Sequence, residues 1–300
     1  MVLWSSAVCT TPDDPEPHLF TPPAFYARSM RAFAMKPIIA LLTDFGLADI
    51  FVGQMKAVLT ASLPDVQIID ISHDVIPFNI VQAGFFLTAS SRYFPKGTVF
   101  LAVVDPGVGT TRRIMLVQDR GRSYFAPDNG LLGTLMARAE DPVVYDVTMS
   151  KDGAPIGGTF HGRDLFCPLA VRLLKGESPE SMGKLTRAAT LIKADWAKPR
   201  FSDNSLITHV LHVDRFGNCV LSVESSEASD YFASWPIAML AHPRQEPVMY
   251  ASCYGDLGPK HIGVIPNSQG FLELAVNRGS CAKRLGLRIG DMVRFNGSKM

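Results

Sequence analysis

The run Ile38-Ile39-Ala40-Leu41-Leu42, closing on Thr43-Asp44-Phe45-Gly46, decides how the fold is read. Five consecutive apolar residues that stop at a carboxylate and a glycine are the pattern of a short strand covered on both faces, with a polar turn at its end. A helix-spaced set follows at Phe51, Met55, Val58 and Leu59, reaching to about residue 63, with Asp49 placed to cap it. Residues 66–71 read as a second buried strand. Asn79 opens a second helix with Ile80, Ala83, Gly84 and Leu87 on one face, and residues 98–104 give a third strand. This alternation of strand and helix predicts a parallel sheet with crossover helices.

Beyond it, residues 114–118 and 123–126 are joined by Asp119-Arg120-Gly121-Arg122, which is hairpin chemistry. A short helix is expected over 129–138, a strand over 142–147, and a helix after Phe160-His161-Gly162-Arg163-Asp164, reaching to about residue 174. Around residues 188–199 the rhythm stops. Strand-like segments separated by turns then follow at 207–213, 219–223, 247–252, 262–265, 271–276 and 292–295. The expected class is α/β: an N-terminal parallel-sheet α/β domain over residues 36–190, then a smaller, mostly β C-terminal domain over 191–300. Residues 1–35, with Asp13-Asp14-Pro15-Glu16-Pro17, read as a disordered extension or a leader; their acids argue against a secretory signal.

Bulk properties narrow the function. Of the 300 residues 47% are hydrophobic, ample for a real core, and the formal net charge is +1 with no clustered Lys or Arg. Nucleic acid or an anionic membrane as partner would require a basic stripe, so a small-molecule substrate is expected instead. Cys9, Cys167, Cys219, Cys253 and Cys281 are odd in number and scattered, which favours neither a disulfide framework nor a zinc knuckle and points to the cytoplasm. No apolar run is long enough to predict a membrane span.

Ligands of open parallel sheets bind beyond the carboxyl ends of the strands. Three polar loops fall there: Thr43 to Gly46, Ile71-Ser72-His73-Asp74, and Asp105-Pro106-Gly107-Val108-Gly109-Thr110. In the last, Gly107 and Gly109 allow a tight turn, and Arg112 is placed to return over the loop toward Asp105. A capped turn with a surface ion pair would use the same residues, and pattern alone leaves the two readings even. The G-x-G-x-x-G spacing of a dinucleotide site is missing. His161, beside a glycine at a loop-to-helix junction, suits proton transfer near neutral pH, although a helix-end histidine held by local hydrogen bonds is the commoner case.

Asp44-Phe45-Gly46 lacks the companions of a kinase metal triplet, and a rim carboxylate that bonds ribose hydroxyls fits better. Asp214-Arg215-Phe216-Gly217-Asn218 sits between two strands and also suits a plain hairpin turn. His209 and His212, three apart on a strand, face opposite ways and do not make a metal pair; His73-Asp74 is a weak hint. No metal is expected.

Taken in order, Thr43 to Gly46, Asp105 to Thr110, Pro127-Asp128-Asn129-Gly130, Phe160 to Asp164, Phe216 to Asn218 and Asn277-Arg278-Gly279-Ser280 resemble the S-adenosyl-L-methionine hydroxide adenosyltransferases, relatives of fluorinase and chlorinase. The resemblance spans roughly residues 37–295. It implies hydrolysis of S-adenosyl-L-methionine to adenosine and L-methionine, with S-adenosyl-L-methionine itself as substrate and no further cofactor, in a homotrimer with active sites at subunit interfaces. It assigns the hydrolytic triad to Asp105, Arg112 and His161, and ribose binding to Asp44. Adenine and methionine contacts fall on Asp214, Phe216, Asn218, Ser268, Asn277 and Arg278, and Phe160 joins the substrate-binding set. The halogenating relatives lack the aspartate found here at Asp105. Fluorinase has a serine where this chain has Gly162 and a threonine where it has Val108, so water is favoured over halide as nucleophile. The alternatives are a non-catalytic sensor of S-adenosylmethionine or adenosine, and halide-using adenosyl transfer.

Overall fold

A computed structural model describes residues 36–148, 159–233 and 237–297 of the chain. The anticipated extension at 1–35 lies outside them. Two sheets organise the rest. The first has seven strands: β1 (Ile38–Thr43), β2 (Gln67–Ser72), β3 (Val99–Val103), β4 (Ile114–Asp119), β5 (Arg122–Pro127), β6 (Val143–Asp146) and β7 (Lys184–Thr186), in the spatial order β2-β1-β3-β5-β4-β6-β7. Strands β2, β1, β3 and β5 are parallel, as the βα rhythm predicts. From β4 onward the pairing is antiparallel, so the sheet is mixed rather than wholly parallel. The reason is the β4–β5 hairpin. Arg120 and Gly121 both take positive φ (49° and 74°), the two-residue turn whose twist matches the strands it joins.

Strands β1 and β3 are buried nearly throughout. β2 is not: it is the sheet's edge, and its residues are half-buried or exposed, contrary to the buried strand expected at 66–71. The helix Phe51–Ser62 packs Met55 and Leu59 on one face of the sheet, and the helix Ile80–Ser91 packs Ala83 and Leu87 on the other. Asn79 caps the second helix by accepting from the Gln82 amide at 2.9 Å. Asp49 does not cap the first; Ile50 holds the N-cap position and no side chain bonds there.

The second sheet contains β8 (Arg200–Ser202), β9 (Ser205–Val213), β10 (Cys219–Glu224), β11 (Ile237–His242), β12 (Glu246–Tyr250), β13 (Ile262–Pro266), β14 (Phe271–Val276) and β15 (Met292–Asn296). Its order is β10-β14-β13-β12-β11-β15-β9-β8, and β9 also pairs with β10, closing a barrel around Leu206, Leu221, Val264, Leu274 and Phe295. Closure removes most exposed edges, and β8 alone hangs on the outside of β9. Strand β11 and the helix Ser225–Ala233 have no counterpart in the sequence reading. Among the described residues no helix is long and apolar enough to cross a membrane.

The two sheets meet where the helix Ile80–Ser91 faces β9. Phe85 stacks on His212 and meets Phe271 edge-on, and Arg138 donates to Glu224 at 2.6 Å. The seam is aromatic with an ion pair at its rim.

Candidate functional site

Asp105 stands two residues beyond the end of β3, on a loop that folds back by successive turns: the Val108 amide donates to the Asp105 carbonyl (3.2 Å) and the Thr110 amide to the Gly107 carbonyl (3.1 Å). Those turns bring Arg112 round to the carboxylate that precedes it by seven residues. Arg112 Nε donates to Asp105 Oδ2 at 2.5 Å, its terminal nitrogen bonds the same oxygen, and the Gly107 amide donates to Oδ1 at 3.1 Å. The pair is well buried, with side-chain exposures of 8% for Arg112 and 5% for Asp105. Removing one partner of such a pair typically costs about 3–5 kcal/mol, because the other charge is left stranded. From below, Asn129 Nδ2 donates to the Val104 carbonyl (2.9 Å), pinning the strand end that carries Asp105.

Arg112 also reaches His161, at 2.7 Å from its terminal nitrogen to Nδ1. His161 is buried, immediately before a single π turn (Gly162–Phe166) that runs into the helix Cys167–Leu174. Guanidinium only donates. The Nδ1 it meets is therefore an acceptor, and the neutral ring carries its hydrogen on Nε2. Asp105, Arg112 and His161, anticipated separately from two motifs, form one hydrogen-bonded string. The surface ion pair that the sequence left open is instead a buried one.

Phe160 lies beside this string and meets Phe45 and Phe51 edge-on, at centroid distances of 5.6 and 5.2 Å. Gly162 makes the packing possible: a Cβ there would sit 2.9 Å from the Phe160 ring and 3.1 Å from Met55 sulfur. Asp44 closes this face. Its Oδ2 accepts from the Phe78 amide at 2.8 Å, which ties the loop after β1 to the one after β2, and the Gly46 amide donates to the His73 carbonyl nearby. Around Asp44 the surface is apolar and open, with Leu47, Ile50 and Phe78 each about two-thirds exposed.

The C-terminal candidates gather on the barrel. Asp214, Phe216, Asn218, Asn277 and Arg278 line one cleft of about 520 Å³, together with Tyr254 and Ser280. Asp214 is held by its own turn: Oδ1 accepts from the Phe216 and Asn218 amides (2.9 and 2.8 Å), and Oδ2 from Asn218 Nδ2 (2.9 Å). Gly217 has a φ of +89°, and a Cβ on it would lie 2.0 Å from Ser280 Oγ, so the turn and the Ser280 segment fit only because this residue has no side chain. Phe216 is 77% exposed. Ser268 is not in this cleft; it lines an adjoining cavity of about 340 Å³ with Asp214, Tyr254, His212 and Glu273.

Tyr254 and Glu273 are absent from the sequence-derived set. Tyr254 hydroxyl donates to Glu273 and lies 3.4 Å from Asn218 Nδ2. Burial, offset in part by that bond, pushes the Glu273 carboxyl above its usual range. An isolated acid inside a strand of apolar residues was the one available signal, and it was indistinguishable from an outward-facing position. His209 and His212 do face different surroundings, and among the described residues no group of three or more His, Cys, Asp or Glu is arranged to hold a metal ion.

Comparisons with known proteins find relatives over most of the chain. Residues 39–183 match the model of the SAM hydroxide adenosyltransferase N-terminal domain, and residues 208–294 that of the C-terminal domain. The (R)-S-adenosyl-L-methionine hydrolase of Salinispora tropica is 34% identical over 87% of this chain and 98% of its own length. A fluorinase from Actinopolyspora mzabensis is 27% identical over 88% of this chain and 98% of its own. A crystal structure of an uncharacterized conserved protein from Thermotoga maritima superposes with a TM-score of 0.75 at 32% identity, covering 86% of this chain and 99% of that one. With both halves matched in order and over most of their residues, the chain belongs to the SAM hydroxide adenosyltransferase family.

Proposed function

We propose that the protein hydrolyses S-adenosyl-L-methionine to adenosine and L-methionine, by attack of water or hydroxide at the ribose C5′. The observation that carries this reading is the buried Asp105–Arg112–His161 string, placed beyond the carboxyl end of β3. Relatives named (R)-S-adenosyl-L-methionine hydrolase, 29–34% identical over most of the chain, support it.

The sulfonium sulfur is already a good leaving group, so the barrier lies with the nucleophile. The new O–C5′ bond forms as the C5′–S bond breaks, its electron pair returns to sulfur, and one proton leaves the attacking water. Bulk water has a pKa of about 15.7, so the site must take that proton or bind an oxygen already close to hydroxide. Arg112 supplies the fixed positive charge. While paired with Arg112 through Nδ1, His161 offers the nucleophile a donor at Nε2, not a base. Asp105 then remains as proton acceptor through Oδ1, which only the Gly107 amide engages among the described contacts. Holding the oxygen in line behind C5′ adds an orientation effect. Asp44 takes the ribose hydroxyls, with Phe160 beside it; Asp214, Phe216, Asn218, Ser268, Asn277 and Arg278 take adenine and the methionine end. No additional cofactor enters, and neither nucleic acid nor membrane is a partner.

The binding residues divide between an N-terminal face around Asp44 and a cleft lined from the C-terminal half alone. A homotrimer, with the cleft of one subunit completing the face of the next, accounts for this division. The exposed apolar side chains beside Asp44 support it, since patches of that kind mark association surfaces. The scattered cysteines, four of which are free among the described residues, favour a cytoplasmic setting.

The test is incubation of the purified protein with S-adenosylmethionine in chloride-free buffer and chromatography of the products. Adenosine and methionine in equal amounts, absent with Asp105→Ala, are expected. Saturable binding without turnover would replace hydrolysis by a sensor role.

A further inference from the structure

At the seam between the two sheets, on the reverse side of the loop that carries Ser268, lies a polar cavity of about 200 Å³. Four arginines line it: Arg92 from the end of the helix Ile80–Ser91, Arg120 and Arg122 from the β4–β5 hairpin, and Arg138. Two carry their own counter-charges. Arg138 pairs with Glu224, and Arg120 with Glu140 and, more distantly, Asp119. The other two do not. Arg122 donates to the Phe94 carbonyl and weakly to that of Arg92, and Arg92 donates to the Ser268 carbonyl and lies over the Tyr93 ring. Among the described residues neither forms an ion pair. Carbonyl oxygens satisfy hydrogen bonds but leave the charge uncancelled.

We infer that this cavity is a binding site for a small oxyanion of the phosphate or sulfate type, held chiefly by Arg92 and Arg122. The chemistry is that of a planar guanidinium offering paired N–H donors to tetrahedral oxygens. The volume is below the range of pockets that take drug-sized ligands, so it suits the free anion and not a nucleotide. The site has a route to the substrate cavity. Gln269 lines both spaces, and Arg92 touches Ser268 and packs against Gly270, where a Cβ would lie 2.9 Å from its terminal nitrogen. An anion that draws Arg92 inward gives up the long 3.5 Å contact to the Ser268 carbonyl and loosens the methionine end of the substrate site. This coupling rests on the proposed hydrolysis; the binding itself does not.

The experiment is calorimetric titration of the full chain with sodium phosphate, and separately sodium sulfate, at an ionic strength fixed with sodium chloride. Saturable binding is expected, weakened roughly tenfold or more in Arg92→Gln and in Arg122→Gln, as for loss of one charge-assisted hydrogen bond. Arg92 is exposed, so its variant keeps the test available if Arg122→Gln fails to fold. In parallel, phosphate raises the KM for S-adenosylmethionine in the wild type and not in Arg92→Gln, with kcat unchanged. Heats matching the chloride control, or undiminished binding in a folded Arg92→Gln, would overturn the site. Binding without any effect on KM would overturn the coupling alone.

Discussion

The corner at Asp105 and the cleft at Asp214 are built by opposite strategies. In the first, residues from two separate segments form a buried ion pair and a hydrogen-bonded imidazole. In the second, an aspartate is held by the amides of its own five-residue turn, and the neighbouring Phe216 stands open to solvent. The contrast separates two tasks. A group that must face developing charge gains from being fixed before substrate arrives, because nothing then has to reorganise in the transition state. A surface proposed to admit and release an adenosyl group is left open, with Phe216 largely exposed.

That contrast can be broken from either side. The largest effect is expected from Asp105→Asn, which keeps the shape but removes the proposed proton acceptor and strands Arg112: kcat falls by about 10²–10⁴ with KM little changed. Steady-state kinetics on both parameters checks it. In the cleft, Asp214→Ala is expected to raise KM by roughly 10- to 100-fold, since it removes a charged partner and unlatches the turn, with a smaller change in kcat. If the corner of one subunit works with the cleft of the next, co-expressing these two weak variants restores turnover. About a quarter of wild-type activity is expected, because half the corners and half the clefts are intact in mixed trimers. Activity no higher than the parents' average would place both halves within one subunit.

A smaller effect falls on stability. Gly217→Ala introduces a Cβ at positive φ and against Ser280 Oγ. A loss of about 1–3 kcal/mol, measured by denaturant unfolding, is expected, with a raised KM. Smallest is the pH response of the seam. Burial holds the His212 imidazole below its ordinary value near 6.5. A depressed histidine means that the unfolded chain binds more protons in that interval, so stability is fully present above about pH 6.5 and declines as acid passes downward through it. His212→Gln is expected to flatten part of that decline, while His209, depressed mainly by its own burial, keeps the remainder.

Much of this was legible in the sequence because the signals were local. The apolar runs at β1 and β3 and the Asn79 cap follow from short-range rules, and each appears where the pattern puts it. The hairpin was readable too, yet its consequence was not, since a run of residues does not state that the sheet turns antiparallel from β4 onward. Strand β2 misled for a related reason: an apolar edge strand and a buried one share the same letters, and only the order of strands exposes it. At the site, Asp105 and His161 were found as motifs, but their junction through Arg112 spans 49 residues and depends on tertiary folding. Tyr254 and Glu273 carried no motif at all.

The most direct test of the account is hydrolysis of S-adenosylmethionine in ¹⁸O-labelled water, with mass analysis of both products. Attack at C5′ places one heavy oxygen on the 5′-hydroxyl of adenosine and none on methionine, and Asp105→Asn suppresses both products together. Unlabelled adenosine, label in methionine, or full turnover by Asp105→Asn would contradict the mechanism drawn from the Asp105–Arg112–His161 string.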